Sequence, residues 1–144
     1  MKEIEGVLLS KQEIISLSDG DVLHGMKRDE LGYNGFGEVY FSTINPGSVK
    51  AWKRHREMTL NFLVPYGKIK FVLFDDLDDL DTEDFQIIEL SRDNYYRLTI
   101  PPMVWTGFQG LGREPSLLLN IANIPHNPNE VDHLECDYVN YSWS

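Results

Sequence analysis

The chain has 144 residues, 42% of them hydrophobic and 25% charged, the composition of one globular domain whose core needs no disulfide support. A net charge of −10, from 23 acidic and 13 basic side chains, excludes nucleic acid as a partner, because neutralising phosphate backbones requires a basic face. A single cysteine, Cys136, excludes an internal disulfide framework and fits a reducing, cytoplasmic compartment, and no apolar run approaches the roughly 20 residues that span a bilayer.

Read from the N-terminus, MKEIEGVLLSKQEII holds an apolar patch too short and too interrupted by charge for a signal peptide, and KQEII allows a turn or so of helix. GEVYFSTI, over Gly37–Ile44, alternates as a strand with Val39 and Phe41 on one face and Tyr40 and Ser42 on the other. Pro46 and Gly47 end it in a turn. Four of the basic residues and one histidine then crowd into Lys50–Arg56. In an acidic chain such a cluster is either a solvated strand end or a place for a small anion, which needs only two or three local cations.

MTLNFLV predicts a strand with Met58, Leu60, Phe62 and Val64 on one face. A turn over Pro65–Gly67 leads to KIKFVLF, with Ile69, Phe71 and Leu73 on one face. Seven carboxylates crowd into Asp75–Asp84, but the run lacks the glycine and the terminal glutamate of a calcium-binding EF-hand loop and reads as a solvated hairpin tip. FQIIELS, NYYRLTI and SLLLNIANI are further strands. The Pro- and Gly-rich IPPMVWTGFQGLGREP between the last two cannot be helical, and a short helix is expected around residues 129–134. Short strands separated by turns over most of the chain predict an antiparallel sandwich or barrel, whose mouth can hold one ligand.

Within GSVKAWKRHREMTL, strict alternation places Ala51, Lys53 and His55 on one face, with Lys53 and His55 about 7 Å apart. Facing into a barrel, the pair can move a proton or grip an anion; facing outward, both are surface residues.

Gly47-x5-Lys53-x-His55, continued to Gly67, resembles the first cupin motif, which usually carries H-x-H and a later glutamate. Ile100–Phe108, IPPMVWTGF, resembles the second, usually P-x-G-x-x-H. The likeness covers about residues 30–143 and includes EVYFSTINPGSVKAWKRH, VPYGKIKFVLFDD, EPSLLLNIAN and the closing YSW. Together these are similar to the nucleotide-sugar branch of the cupins, the RmlC-like family of dTDP-4-dehydrorhamnose 3,5-epimerases and dTDP-sugar 3,4-ketoisomerases. The resemblance implies an all-β fold, the double-stranded β-helix or cupin jelly roll, as a single domain over residues 1–144. It also implies a homodimer paired through edge strands, and an isomerase or epimerase of a nucleotide-linked 4-keto-6-deoxysugar in cell-surface polysaccharide biosynthesis, with no cofactor.

The chain departs from the motifs at informative places. Lys53 stands at the first histidine of H-x-H, Thr59 or Leu60 at the glutamate, and Thr106 at the second-motif histidine. One imidazole, His55, cannot hold a transition metal alone, so no metal is expected. The histidine that serves the 3,5-epimerases as base aligns with Lys53, and their acid tyrosine aligns with Asn120. The ketoisomerase tyrosine aligns with Tyr40. The resemblance therefore implies a catalytic set of His55, Lys53 and Tyr40. One assignment makes His55 the base, Lys53 the donor to the enolate oxygen and Tyr40 the proton donor, with the roles interchangeable.

Lys50 stands where the family places a diphosphate-gripping arginine, and Arg28, opening RDELGYNGFGEVY, stands near its phosphate-contacting arginine. Arg54, Asn120 and Trp105 complete the expected substrate-binding set, although Arg54 and Arg56 also suit surface ion pairs and Trp105 suits a core. Asp137 lies near the family aspartate that orients the catalytic histidine. His126 is expected in solvent, Asp132 and His133 form no recognisable site, and Cys136 is expected to be a packed or inert thiol. Because the usual histidine and tyrosine are replaced, the rival expectation is a catalytically silent sugar-nucleotide-binding module descended from such enzymes.

Overall fold

The computed structural model describes residues 2–78 and 80–144. Twelve strands are present among the described residues. They are β1 (Leu8–Lys11), β2 (Ile14–Ile15), β3 (Val22–Leu23), β4 (Glu38–Ile44), β5 (Val49–His55) and β6 (Leu60–Tyr66), followed by β7 (Lys68–Phe74), β8 (Gln86–Ser91), β9 (Tyr96–Ile100), β10 (Trp105–Gly110), β11 (Ser116–Ala122) and β12 (Val131–His133). Two five-stranded antiparallel sheets, ordered β1-β9-β6-β11-β4 and β12-β5-β10-β7-β8, face each other, and β2 and β3 form a small ribbon. This is the expected jelly roll.

The period-2 faces read from sequence meet in the middle. Met58, Leu60, Phe62 and Val64 share one buried cluster with Ile69, Phe71 and Leu73, joined by Leu98, Ile100 and Leu118. Phe62 stacks on Phe71 across the two sheets with ring centroids 5.4 Å apart. Burial of such rings contributes on the order of 2–3 kcal/mol each.

Both sheets are also covered on part of their outer faces. On the second sheet Trp52, Val72, Phe74, Phe85 and Trp105 form an aromatic layer under Val139, Tyr141 and Trp143 of the C-terminal segment. The Lys70 ammonium lies 5.3 Å and 5.4 Å from the Tyr141 and Trp143 ring centroids and pins that segment in place. On the first sheet the segment around residues 25–32 is tied down by Arg97, which is fully buried. Its guanidinium donates to the carbonyls of Gly25 and Leu31, both at 2.9 Å, to Glu30 Oε2 at 3.2 Å and to Asn61 Oδ1 at 3.2 Å. Gly32 has φ +101°, and a Cβ there would stand 2.7 Å from Thr99 Oγ1, so the segment can lie this close only with glycine.

Two sequence expectations change. KQEII is extended, not helical, because Lys11 ends β1 on β9 and Ile14–Ile15 form β2 on β3. The stretch around residues 129–134 is a 3₁₀ turn (Pro128–Glu130) followed by β12, not a longer helix. The Pro- and Gly-rich second-motif stretch is not helical, as expected, and contains β10, a central strand held between β5 and β7. Part of the carboxylate run forms a 3₁₀ turn, Thr82–Asp84, capped by Asp81; Asp79 lies outside the described residues.

Candidate functional site

Between the facing sheets lies a cavity of about 1060 Å³. Its wall takes Tyr40 and Ser42 from β4, Lys50, Lys53 and His55 from β5, Thr106 and Phe108 from β10, and His126, His133 and Glu135 from the segment around β12. Two lysines and three histidines line it with one carboxylate, Glu135, in a chain of net charge −10. A concave site with that local charge suits an anionic ligand.

A bulge explains how the two lysines reach the cavity. Thr106 pairs with Lys53, but Phe108 pairs with Lys50, so three steps along β5 match two along β10. The extra residue lies opposite Gly107, where a Cβ would come 2.9 Å from the Trp52 ring and 2.8 Å from Ala51 Cβ. Strict alternation puts Lys50 on the opposite face from Lys53; the bulge returns both to the same face. The Lys50 ammonium donates to the Thr43 carbonyl at 2.9 Å, bridging from β5 to β4 at the side of the cavity.

His55 is held by a residue that sequence reading missed. Its Nδ1 lies 2.6 Å from Oε1 of Glu130, whose side chain is 3% exposed. Glu130 Oε2 accepts from the backbone N–H groups of Arg56 at 3.0 Å, Glu57 at 3.0 Å and Met58 at 3.2 Å. Burial pushes the Glu130 carboxyl up, but the hydrogen bonds from His55 and from the Glu57 and Met58 amides together outweigh it and hold its pKa below the ordinary 4.5. An ionised carboxylate on Nδ1 favours that nitrogen as the N–H donor, which in the neutral imidazole leaves Nε2 as the acceptor nitrogen. Glu130 reaches this place because its turn leads into β12, which pairs Val131 with His55. Asp137, the residue the resemblance suggested for this task, instead lies in the 3₁₀ turn Cys136–Tyr138, and Cys136 is exposed rather than packed.

Tyr40 approaches from the other sheet. Asn120 Oδ1 accepts from the Asn61 N–H at 3.2 Å, which fixes the amide so that Nδ2 donates to the Tyr40 hydroxyl at 3.0 Å. The Tyr40 oxygen is thereby an acceptor toward Asn120, and its own proton is left for a ligand.

The cavity thus brings together His55, Lys53, Tyr40 and Lys50. Asn120 is 1% exposed and stands behind Tyr40 as its support, away from the cavity wall. Arg54 and Trp105 are cross-strand partners on the outer face of the second sheet. The Arg54 guanidinium stacks 4.8 Å from the Trp105 ring and bonds Asp132 at 2.7 Å and 3.0 Å, while Arg56 meets the same carboxylate at 3.2 Å. Trp105 packs on Phe74 at 6.1 Å. The same register that turns Lys53 inward turns these residues outward. Arg28 is exposed in the segment over the first sheet and is not part of the cavity wall. His126 is exposed, as expected, and with the exposed His133, for which no site was expected, it also borders the cavity. The donor set does not fit a transition metal. Lys53 and Thr106 occupy motif positions where histidines would ligate, His55 Nδ1 is taken by Glu130, and the described residues contain no converging group of three metal-ligating side chains.

No family model matches the chain. A solved dTDP sugar isomerase from Desulfovibrio desulfuricans is 40% identical, with 97% of this chain and 92% of that one superposed at a TM-score of 0.88. The probable low-salt glycan biosynthesis epimerase Agl13 of Haloferax volcanii is 33% identical over 101 residues, 69% of this chain; the match spans 65% of that relative's length. The spore coat polysaccharide biosynthesis protein SpsL of Bacillus subtilis is 25% identical over 98% of this chain and 97% of its own length. With the jelly roll, the inward face of β5 and a full-length relative at this identity, the chain belongs to the RmlC-like cupin family of dTDP-sugar isomerases and epimerases.

Proposed function

We propose that the protein is an isomerase or epimerase of a nucleotide-linked 4-keto-6-deoxysugar that works by removing a proton from carbon beside the ketone. The observation that carries this reading is the pairing of an oriented base and an oriented acid across one cavity. His55 presents Nε2 from the second sheet, set by Glu130, and Tyr40 presents its hydroxyl proton from the first, set by Asn120. A proton beside a ketone becomes removable when a base reaches the carbon and a donor faces the oxygen. His55 takes the proton, Lys53 supplies positive charge to the enolate oxygen, and Tyr40 returns a proton from the opposing wall. Lys50 offers positive charge to a diphosphate, and His126 and His133 border the same cavity as hydrogen-bonding groups.

The likeness to a dTDP sugar isomerase supports dTDP as the nucleotide. The glycan and spore-coat relatives support a role in cell-surface polysaccharide biosynthesis, which begins from cytoplasmic nucleotide sugars. A silent binding module gives no reason for a buried carboxylate locking His55 or for an asparagine dedicated to Tyr40. A homodimer is the expected assembly. β4 is a free sheet edge, and its outward Phe41 is 67% exposed beside Val39.

The test is incubation with dTDP-4-keto-6-deoxyglucose and identification of the sugar by NMR. A ketone moved to C3, or an inverted centre at C3 or C5, supports the proposal. Binding of dTDP with the sugar recovered unchanged selects the silent module.

A further inference from the structure

Thr106 carries a hydroxyl that the fold does not use. The residue is 6% exposed, and its Oγ1 is buried without a hydrogen-bond partner. A buried hydroxyl left unpaired is destabilising, and valine would fill the same space without that cost. Thr106 nevertheless lines the cavity, directly across the strand pair from Lys53. Lys53 is also without a partner. Its ammonium makes no hydrogen bond or ion pair among the described residues, although acidic side chains outnumber basic ones 23 to 13. On its other side, Lys53 is register-paired with His133, which lines the cavity too. One rung across β10, β5 and β12 therefore lines the same space with Thr106, Lys53 and His133, two residues along β5 from His55.

We infer that Thr106 and Lys53 form a two-point anion subsite, in which the hydroxyl donates to a negatively charged oxygen of the ligand and the ammonium neutralises it. The inference rests on the nucleotide-sugar reading above and assigns Thr106 a ligand-touching role. Two oxygens of such a substrate have the required character: the ketone oxygen as it becomes an enolate, and a diphosphate oxygen. A charge-assisted hydrogen bond from a fixed, buried donor such as Thr106, beside the exposed Lys53 ammonium, acts strongly on either.

The decisive variants are T106V and T106S, each measured for thermal stability, for the dissociation constant of dTDP, and for turnover of dTDP-4-keto-6-deoxyglucose. Because the hydroxyl has no partner inside the fold, T106V melts at or above the wild-type temperature. It also loses at least tenfold in dTDP affinity or in kcat, and T106S restores most of that loss. A loss in dTDP affinity assigns the subsite to the diphosphate. A loss in kcat with dTDP affinity unchanged assigns it to the enolate oxygen. In either case K53M moves the same parameter, and the T106V/K53M double variant falls short of the product of the two single effects.

T106V matching wild type in both affinity and kcat overturns the inference. So does a T106V that melts lower than wild type with a function T106S does not restore, since that marks a structural hydroxyl. A wild-type protein that binds dTDP but leaves the ketosugar unchanged refutes the isomerase reading alone, and the effect of T106V on dTDP affinity still decides the subsite. A wild type that does neither refutes both.

Discussion

Replacing Glu130 by glutamine isolates what the carboxylate does for His55. The amide oxygen must face the backbone donors of Arg56, Glu57 and Met58, because an NH₂ there would confront three N–H groups. The NH₂ then faces His55 Nδ1 across what is now a 2.6 Å charged hydrogen bond. Nδ1 must become the acceptor, the imidazole proton moves to Nε2, and the nitrogen facing the cavity can no longer take a proton. The same inversion of an imidazole by an Asp→Asn change in a serine protease costs about 10⁴ in rate, equivalent to about 5.5 kcal/mol. We expect E130Q to lose on the order of 10³–10⁴ in kcat with little change in KM. The stability cost is smaller. Trading charged for neutral hydrogen bonds costs about 1–2 kcal/mol, which at this chain length lowers Tm by about 5 °C. Steady-state kinetics with dTDP-4-keto-6-deoxyglucose and a melting curve measure both. A folded E130Q with kcat within threefold of wild type refutes the assignment of His55 as base through this tautomer.

Further outcomes follow from other parts of the molecule. Removing Arg97 takes the side-chain donor from the Gly25 and Leu31 carbonyls and the cation from beside Glu30, so R97A should lose about 3 kcal/mol and melt about 10 °C lower in calorimetry. N120A should lower kcat through a misdirected Tyr40 by about tenfold, and Y40F by more, with dTDP affinity unchanged in both by titration calorimetry. R54A should keep kcat/KM within threefold, because Arg54 faces Trp105 and Asp132 outside the cavity. The Asp132 carboxyl is held below its ordinary 3.8 by the Arg54 hydrogen bond, against opposing burial and with help from the Arg56 charge, and Glu130 lies below 4.5. Lowered folded pKa values mean that their stabilisation is present above those ordinary values and fades as pH falls below them. Melting temperature should therefore drop as pH falls below about 4.5, less steeply in the E130Q/D132N double variant.

What sequence reading captured and missed has a physical pattern. The faces carrying Leu60, Phe62 and Val64 and carrying Ile69, Phe71 and Leu73 were legible because one side of each strand meets the core and side chains alternate every second residue. The shared face of Lys53 and His55 followed from the same rule, while its turning toward the cavity is set by the fold. Lys50 did not, because the bulge depends on the Trp52 ring lying over Gly107, a packing fact with no local signature. Trp105 and Arg54 looked like ligand contacts, since nothing local shows that Tyr141 and Trp143 return from the chain end to roof the outer face of that sheet. β10 was obscured by its glycines, although Gly107 is what permits the close approach. Glu130 sits 75 residues from His55, and only the pairing of β12 with β5 joins them. The window HNPNEVDH is dense in titratable groups, and that density was the one available hint of a site there.

The central claim is that His55 removes a proton from carbon inside this cavity. It is tested most directly by incubating wild type and H55N with dTDP-4-keto-6-deoxyglucose in heavy water and following deuterium at C3 and C5 by mass spectrometry and NMR. Wild type should incorporate solvent deuterium beside the ketone, and folded H55N, still binding dTDP, should slow that exchange by at least 10³-fold. Exchange at the wild-type rate in H55N, or its complete absence in wild type under saturating substrate, would contradict the account.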